Sequence, residues 1–300
     1  MPSGNLLFLS TEVRELADYP TSETDPDAPL ETRNVIGDVL IEARRDGTIV
    51  REWKFFDLMD PYRLGYGSLN TSFYAQAYEN VLDEPAPDWL HANGFFYDPA
   101  TDTALVSSNH LSTVVKLDLK SGELVWMLGD PARWRQPWAD LLLEPEGDLL
   151  WSYHHHAPKL TPNGTVLLFD NGSSRAIPPE PPLTPTESFS RAVEYEIDEA
   201  NGTVRQIWSY GGPEEEWFLS PFISEAEWQP QTENILVTKG GQVRRNDGSP
   251  GMGPQEGHVW ITLTEVTHTT PAEKVWEVII DDPAVGWTAF RTERIPSLYR

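Results

Sequence analysis

Four times along the chain an alternating strand, a polar turn and a second strand carrying a tryptophan follow one another. These units are Gly37–Phe55, Ser112–Gly129, Ser190–Gly211 and His258–Ile279. Period-2 alternation around Asp-Gly, Ser-Gly or Asn-Gly dictates antiparallel hairpins, because such turns match the twist of paired strands. The marker tryptophans, Trp53, Trp126, Trp208 and Trp276, are 73, 82 and 68 residues apart. A further short strand belongs to each unit: Asn5–Ser10, Thr103–Ser108, Thr165–Phe169 and Asn234–Thr238. Three segments, Asp88–Asn93, Tyr153–Lys159 and Ser220–Glu227, supply innermost strands. Two hairpins per unit make a four-stranded sheet, and repeated sheets of that kind predict an all-β chain, a β-propeller of four-stranded antiparallel blades.

The period is long for a blade, so loops are expected at residues 62–88, 130–149, 176–188 and 242–257 of one propeller domain spanning 1–300. The third is proline-rich and reads as extended and solvated. Phe73–Asn80 reads as one short helix. Trp287–Ile295 is expected to pair with Asn5–Ser10, and the four tryptophans to pack between sheets.

A net charge of −25 argues against nucleic acid and anionic membranes as partners. The absence of cysteine excludes disulfides and thiolate chemistry. No stretch has the apolar length of a membrane span, and Met1–Ser10 lacks the pattern of a signal peptide.

Trp151–Arg175, WSYHHHAPKLTPNGTVLLFDNGSSR, holds the densest chemistry. A turn at Pro162-Asn163-Gly164 places His156 and Arg175 near one end of a hairpin. A neutral imidazole beside a guanidinium suits an oxyanion such as sulfate or phosphate, because arginine donates in a fixed fork. His91, in Asp88-Trp89-Leu90-His91-Ala92-Asn93, lies 65 residues earlier, close to one repeat. The two histidines therefore read as equivalent positions, and His110 ends a strand at the same rim. If Tyr153–Lys159 is a regular strand, His154 and His156 share a face with His91 while His155 points away. A metal site is the rival for that cluster, although metal sites usually add a carboxylate, and no metal is assigned. Neither G-x-S-x-G nor a phosphate-binding glycine loop in strand-to-helix context is present.

The segments Asp88–Asp98, Ser107–Asp118, His156–Arg175 and Arg291–Tyr299 together resemble the bacterial arylsulfotransferases, over nearly the whole chain. The resemblance implies a six-bladed propeller, N-terminally incomplete here, and transfer of a sulfuryl group from an aryl sulfate to a phenol. It implies no nucleotide donor and no cofactor, a ping-pong course through a sulfohistidine, and a small-molecule aryl sulfate donor and phenolic acceptor as partners. It also implies a periplasmic or exported location if an upstream segment is missing. The family histidine before the FDNG strand falls on His156, the family arginine on Arg175, and His91 lies in the D-W-x-H-x-N motif. Asn93, His110, Asn171 and Arg244 are read with them as substrate-binding positions, and His91, His156 and Arg175 are expected to converge at one end of the channel.

An early family histidine has no counterpart. Where the family nucleophile follows a Gly-Gly pair, Gly240-Gly241 leads to Arg244, whose guanidinium stays protonated. His258 is the candidate replacement if the 242–257 loop folds back, and weak or absent turnover is expected. A non-catalytic propeller binding a ligand or protein in the same channel is the second reading, and a metal-dependent hydrolase the third.

Overall fold

The computed structural model describes residues 1–213, 215–295 and 297. It divides into two compact units, residues 1–143 with 176–182, and residues 144–175 with 183–300.

The first unit holds two antiparallel sheets. One is ordered β1-β2-β3, from Leu6–Pro20, Leu30–Ala43 and Ile49–Lys54; the other is β4-β5-β6-β7, from Ala92–Asp98, Thr103–Ser108, Thr113–Asp118 and Leu124–Gly129. Leu40, Trp53, Trp89, Val106 and Val115 fill their common core. The Phe56 and Trp89 rings stack with centroids 5.2 Å apart. Gly37 has no side chain because the Phe56 ring occupies that space, 2.5 Å from where a Cβ would stand.

The second unit holds a five-stranded sheet, β8-β12-β11-β10-β9, and a four-stranded one, β13-β14-β15-β16. The strands are Glu144–Pro145, His156–Leu160, Val166–Asp170, Arg191–Asp198 and Thr203–Tyr210, then Glu225–Trp228, Ile235–Arg244, His258–Val266 and Lys274–Ile280. Phe169, Trp208, Phe218, Ile235 and Val237 belong to its core, each buried side chain contributing about 1.5–3 kcal/mol.

The four hairpin units are β2/β3, β6/β7, β11/β12 and β15/β16. Their tryptophans occupy corresponding places, opposite Leu40, Lys116, Glu194 and Glu265. Three of them are buried, but Trp276, on the exposed strand β16, is 42% exposed. The helix expected at Phe73–Asn80 is shorter, Ala75–Tyr78, and another single helical turn, Phe55–Leu58, follows β3.

Several expectations are corrected. β1 runs on to Pro20, because the alternation of Thr11–Tyr19 continues to pair with β2. β8 lies inside the 130–149 loop and joins β12 in parallel, a two-residue pairing too short to carry a pattern. The 242–257 loop starts at residue 245, since Gln242–Arg244 complete β14. β1 pairs only with β2 among the described residues, not with Trp287–Ile295. The Trp287 and Ala289 amides donate instead to the Val259 and Gly240 carbonyls, at 3.1 Å each. Gly240 permits this approach: a Cβ there would lie 1.9 Å from the Ala289 oxygen. Of Arg291–Tyr299, Pro296, Leu298 and Tyr299 lie outside the described residues.

A buried charge cluster sits at the end of β10. Asp170 is wholly buried and its Oδ2 accepts from Arg175 Nη2 at 2.7 Å and Arg191 Nε at 2.9 Å. Its Oδ1 accepts the Tyr153 amide at 2.9 Å. Burial works against the carboxylate, but the two guanidinium groups outweigh it and hold its pKa below the usual value.

Two outcomes are expected. Asp170→Asn strands two buried cations and lowers stability by about 3–5 kcal/mol in urea unfolding. In the parent, the depressed pKa contributes stability that is complete above the ordinary aspartate pKa. That contribution fades as pH falls through the lower folded-state value, and the variant lacks this acid limb. Gly240→Ala pushes the Ala289 carbonyl away at a cost of about 1–3 kcal/mol. Hydrogen exchange at the Trp287 and Ala289 amides then accelerates; unchanged exchange contradicts the contact.

Candidate active site

In the first unit, residues 87–89 run beside β2: the Ile36 amide donates to the Pro87 carbonyl at 2.8 Å, and the Trp89 amide to the Ile36 carbonyl at 3.1 Å. Asp88 and Asp38 are both buried there, Asp38 accepting the Ala92 amide at 3.0 Å. His91, with φ +52°, turns the chain into β4. Its Nδ1 lies 2.6 Å from Asp88 Oδ2. His110 donates from Nδ1 to the Asp88 backbone carbonyl at 2.7 Å, and its ring stacks on His91 at 4.9 Å. Asn93 sits at the β4 bulge between Ala92 and Gly94. Phe73 stands edge-on to His91 at 4.5 Å, with Tyr74 against it.

The electrostatics follow from this crowding. Burial opposes the charged form of His91, but the hydrogen bond and charge of Asp88, with the charge of Asp38, raise its pKa. Burial, then the neighbouring charge of Asp88, pushes Asp38 up to about 7, against the pull of the Ala92 amide and His91. Burial and the same two carboxylates keep the Tyr74 phenol protonated. Donor atoms of Asp88, His91 and His110 lie within 4.8 Å of one another, a spacing open to a cation. In the present arrangement both Nδ1 atoms are engaged by Asp88 instead.

The second unit builds its site from Phe169 to Arg175, and nearly every residue has a separate task. Phe169 is core, and Asp170 neutralises two arginines. Asn171 is wholly buried, and its Nδ2 donates to the Ser220 carbonyl at 2.6 Å and the Ile223 carbonyl at 2.8 Å. Carbonyls only accept, so the amide orientation is fixed and Oδ1 is the atom 2.7 Å from His156 Nδ1. His156 therefore carries a proton on Nδ1, so the basic nitrogen of the neutral ring is Nε2. Gly172, with φ +69°, leaves room for the Phe189 carbonyl, 1.8 Å from where a Cβ would stand. Ser173 donates to the Pro221 carbonyl at 2.6 Å. Arg175 caps Phe189 from Nε at 3.1 Å and Trp151 from Nη1 at 3.3 Å, besides holding Asp170.

His154, His155 and His156 are buried rather than solvated. The strand alternation expected of them fails because β9 begins only at His156 and His154 has φ +51°. His155 Nδ1 lies 3.3 Å from Ser152 Oγ. Ile223 has φ +49°, a costly state for a β-branched residue, and its carbonyl is one of the two that hold Asn171.

Arg244 and His258 face each other across β14 and β15 and share Asp281, at 3.6 Å and 2.6 Å. The segment after Arg244 folds back, with the Gly251 amide donating to the Val243 carbonyl at 3.0 Å.

Phe290 stands edge-on to the His156 ring at 6.0 Å. Asp38, Asp88, Phe73, Tyr74 and Phe290 join these centres without having been singled out by residue type. Asp38 had a signal, a charged residue inside the apolar run of β2. Phe73 and Phe290 had none.

No helix among the described residues is long and apolar enough to cross a membrane. The sequence model of the Arylsulfotransferase (ASST) family matches residues 1–282. The chain is 29% identical over 286 residues to an arylsulfate sulfotransferase AssT of Escherichia coli O6:H1, covering 83% of this chain and 46% of that protein. It is 28% identical over 287 residues to an arylsulfate sulfotransferase AssT of Lelliottia amnigena, with the same coverage. The chain thus spans about half the length of these curated relatives. With a family match across most of its length, the chain belongs to the arylsulfotransferase family.

Proposed function

We propose that this chain moves a sulfuryl group from an aryl sulfate to a phenol, with His156 as the nucleophile. The observation that carries this reading is the fixed Asn171 amide, which holds a His156 proton on Nδ1 and so makes Nε2 the basic nitrogen of the neutral ring. A neutral imidazole is what attack on sulfur requires. Nε2 attacks the sulfur, the bond from sulfur to the aryl oxygen breaks, and the electron pair leaves on that oxygen. In the second half, the acceptor phenol oxygen attacks the sulfur and the pair of the nitrogen–sulfur bond returns to Nε2.

His91 has the opposite bias. Its carboxylate partner stabilises the imidazolium, which biases this ring toward proton donation rather than nucleophilic attack. Asn171, Asp88 and Arg175 are positioning residues, and His110 supports the His91 ring. Each four-stranded sheet is read as a blade of the family's propeller, and the partners are small molecules.

Arg244, standing where the family nucleophile is expected and tied with His258 to Asp281, favours a second reading: a non-catalytic propeller that binds aryl sulfates.

Transfer from phenyl sulfate to a second phenol, without nucleotide donor, separates the two. His156→Gln is expected to lower kcat by about 10³-fold or more. The raised pKa of His91 means its acid form persists above the ordinary histidine range and is lost as pH rises through the higher value. NMR titration of the His91 ring should therefore show a midpoint above about 6.5 that falls in Asp88→Asn. Turnover that survives His156→Gln but not His258→Gln moves the nucleophile to His258. A folded parent that binds phenyl sulfate without transfer establishes the binding role instead.

A further inference from the structure

Each of the two histidines has a largely exposed phenylalanine ring set edge-on against it. In the first unit Phe73 stands 85° to the His91 ring at 4.5 Å, yet it is 61% exposed. In the second unit Phe290 stands 78° to the His156 ring at 6.0 Å, and it is 49% exposed. Neither lies in a strand: Phe73 precedes the Ala75–Tyr78 helix, and Phe290 follows the segment laid over Gly240.

Both rings are braced. Tyr74 meets Phe73 edge-on at 4.8 Å, and Tyr78 meets Tyr74 at 6.3 Å. The Tyr78 hydroxyl is 2.7 Å from Thr11 Oγ1 on β1, so this row of rings is tied to the sheet. Phe290 is placed by the Ala289 amide bond to Gly240, and the Arg291 guanidinium lies 5.4 Å over its ring. A large apolar ring held beside a polar imidazole, with half its surface in water, gains little for folding. A ring stacked upon it gains burial and the geometry-dependent attraction between aromatic groups.

We infer that Phe73 and Phe290 are specificity-determining residues that select the aryl group, each offering a ring surface beside its own histidine to an aromatic rather than an alkyl sulfate. The inference rests on the sulfuryl-transfer reading for the identity of the ligand, but it concerns binding and not turnover. It explains why two exposed rings occur at the two candidate histidines.

The test uses two anions of like charge and outline, 2-naphthalenesulfonate and its fully saturated decahydro counterpart. Their carbon–sulfur bonds cannot serve in transfer, so calorimetric titration of the full chain reads recognition alone. The parent is expected to prefer the aromatic anion by about 10-fold. Phe73→Leu and Phe290→Leu, which keep an apolar side chain, are each expected to cut that preference by about 2- to 10-fold. Unchanged melting temperatures show that the half-exposed substitutions leave the fold intact. Equal affinities in the parent, no measurable binding of either anion, or an unchanged preference in both variants overturns the inference. Aromatic preference in a parent that transfers no sulfuryl group upholds it and removes the transferase reading. Transfer with an unaltered preference in the leucine variants does the reverse.

Discussion

The second unit turns on two adjacent side chains at the end of β10, Asp170 and Asn171, both wholly buried. A lone carboxylate at that depth is costly, and here Arg175 and Arg191 offset the cost. The pairing draws Arg175 back over β10, so the turn through Gly172 and Ser173 is closed by charge as well as by backbone bonds. Asn171 then faces inward, where the Ser220 and Ile223 carbonyls fix its amide. The left-handed backbone at Ile223 is the strained element in this construction, and its carbonyl bond to Asn171 is one return for it.

The two histidines are alike in the sequence and unlike in chemistry because of what holds their Nδ1 atoms. His156 meets a neutral amide, which sets the tautomer without adding charge. His91 meets a buried carboxylate with a second one nearby, which favours the cation. One environment suits a nucleophile and the other a proton donor. Neither arginine of the Asp170 cluster is needed for that distinction, although Arg175 keeps the Asn171 turn in place.

The hairpins were legible because period-2 alternation and Asn-Gly, Asp-Gly or Ser-Gly turns act locally; Trp53, Trp126 and Trp208 lie buried at corresponding places. His91, His156 and Asn171 could be picked from their motifs, but not the role of Asn171. A substrate-facing amide and one spent on two carbonyls have the same residue letter. The histidine run misled because strand alternation was carried through His154, where the backbone turns left-handed. Asp38 lay inside a strand that looked purely structural. Phe73 and Phe290 come from segments with no periodic pattern, so only tertiary contact brings them to their histidines.

The central claim is that the amide-held His156 accepts the sulfuryl group. Mapping the label after brief exposure to a radiolabelled aryl sulfate, with alkaline digestion and peptide identification, addresses it most directly. Label on Nε2 of His156, discharged by added phenol, is the predicted result. Label on His258 or His91, or stable label that phenol does not remove, contradicts the assignment.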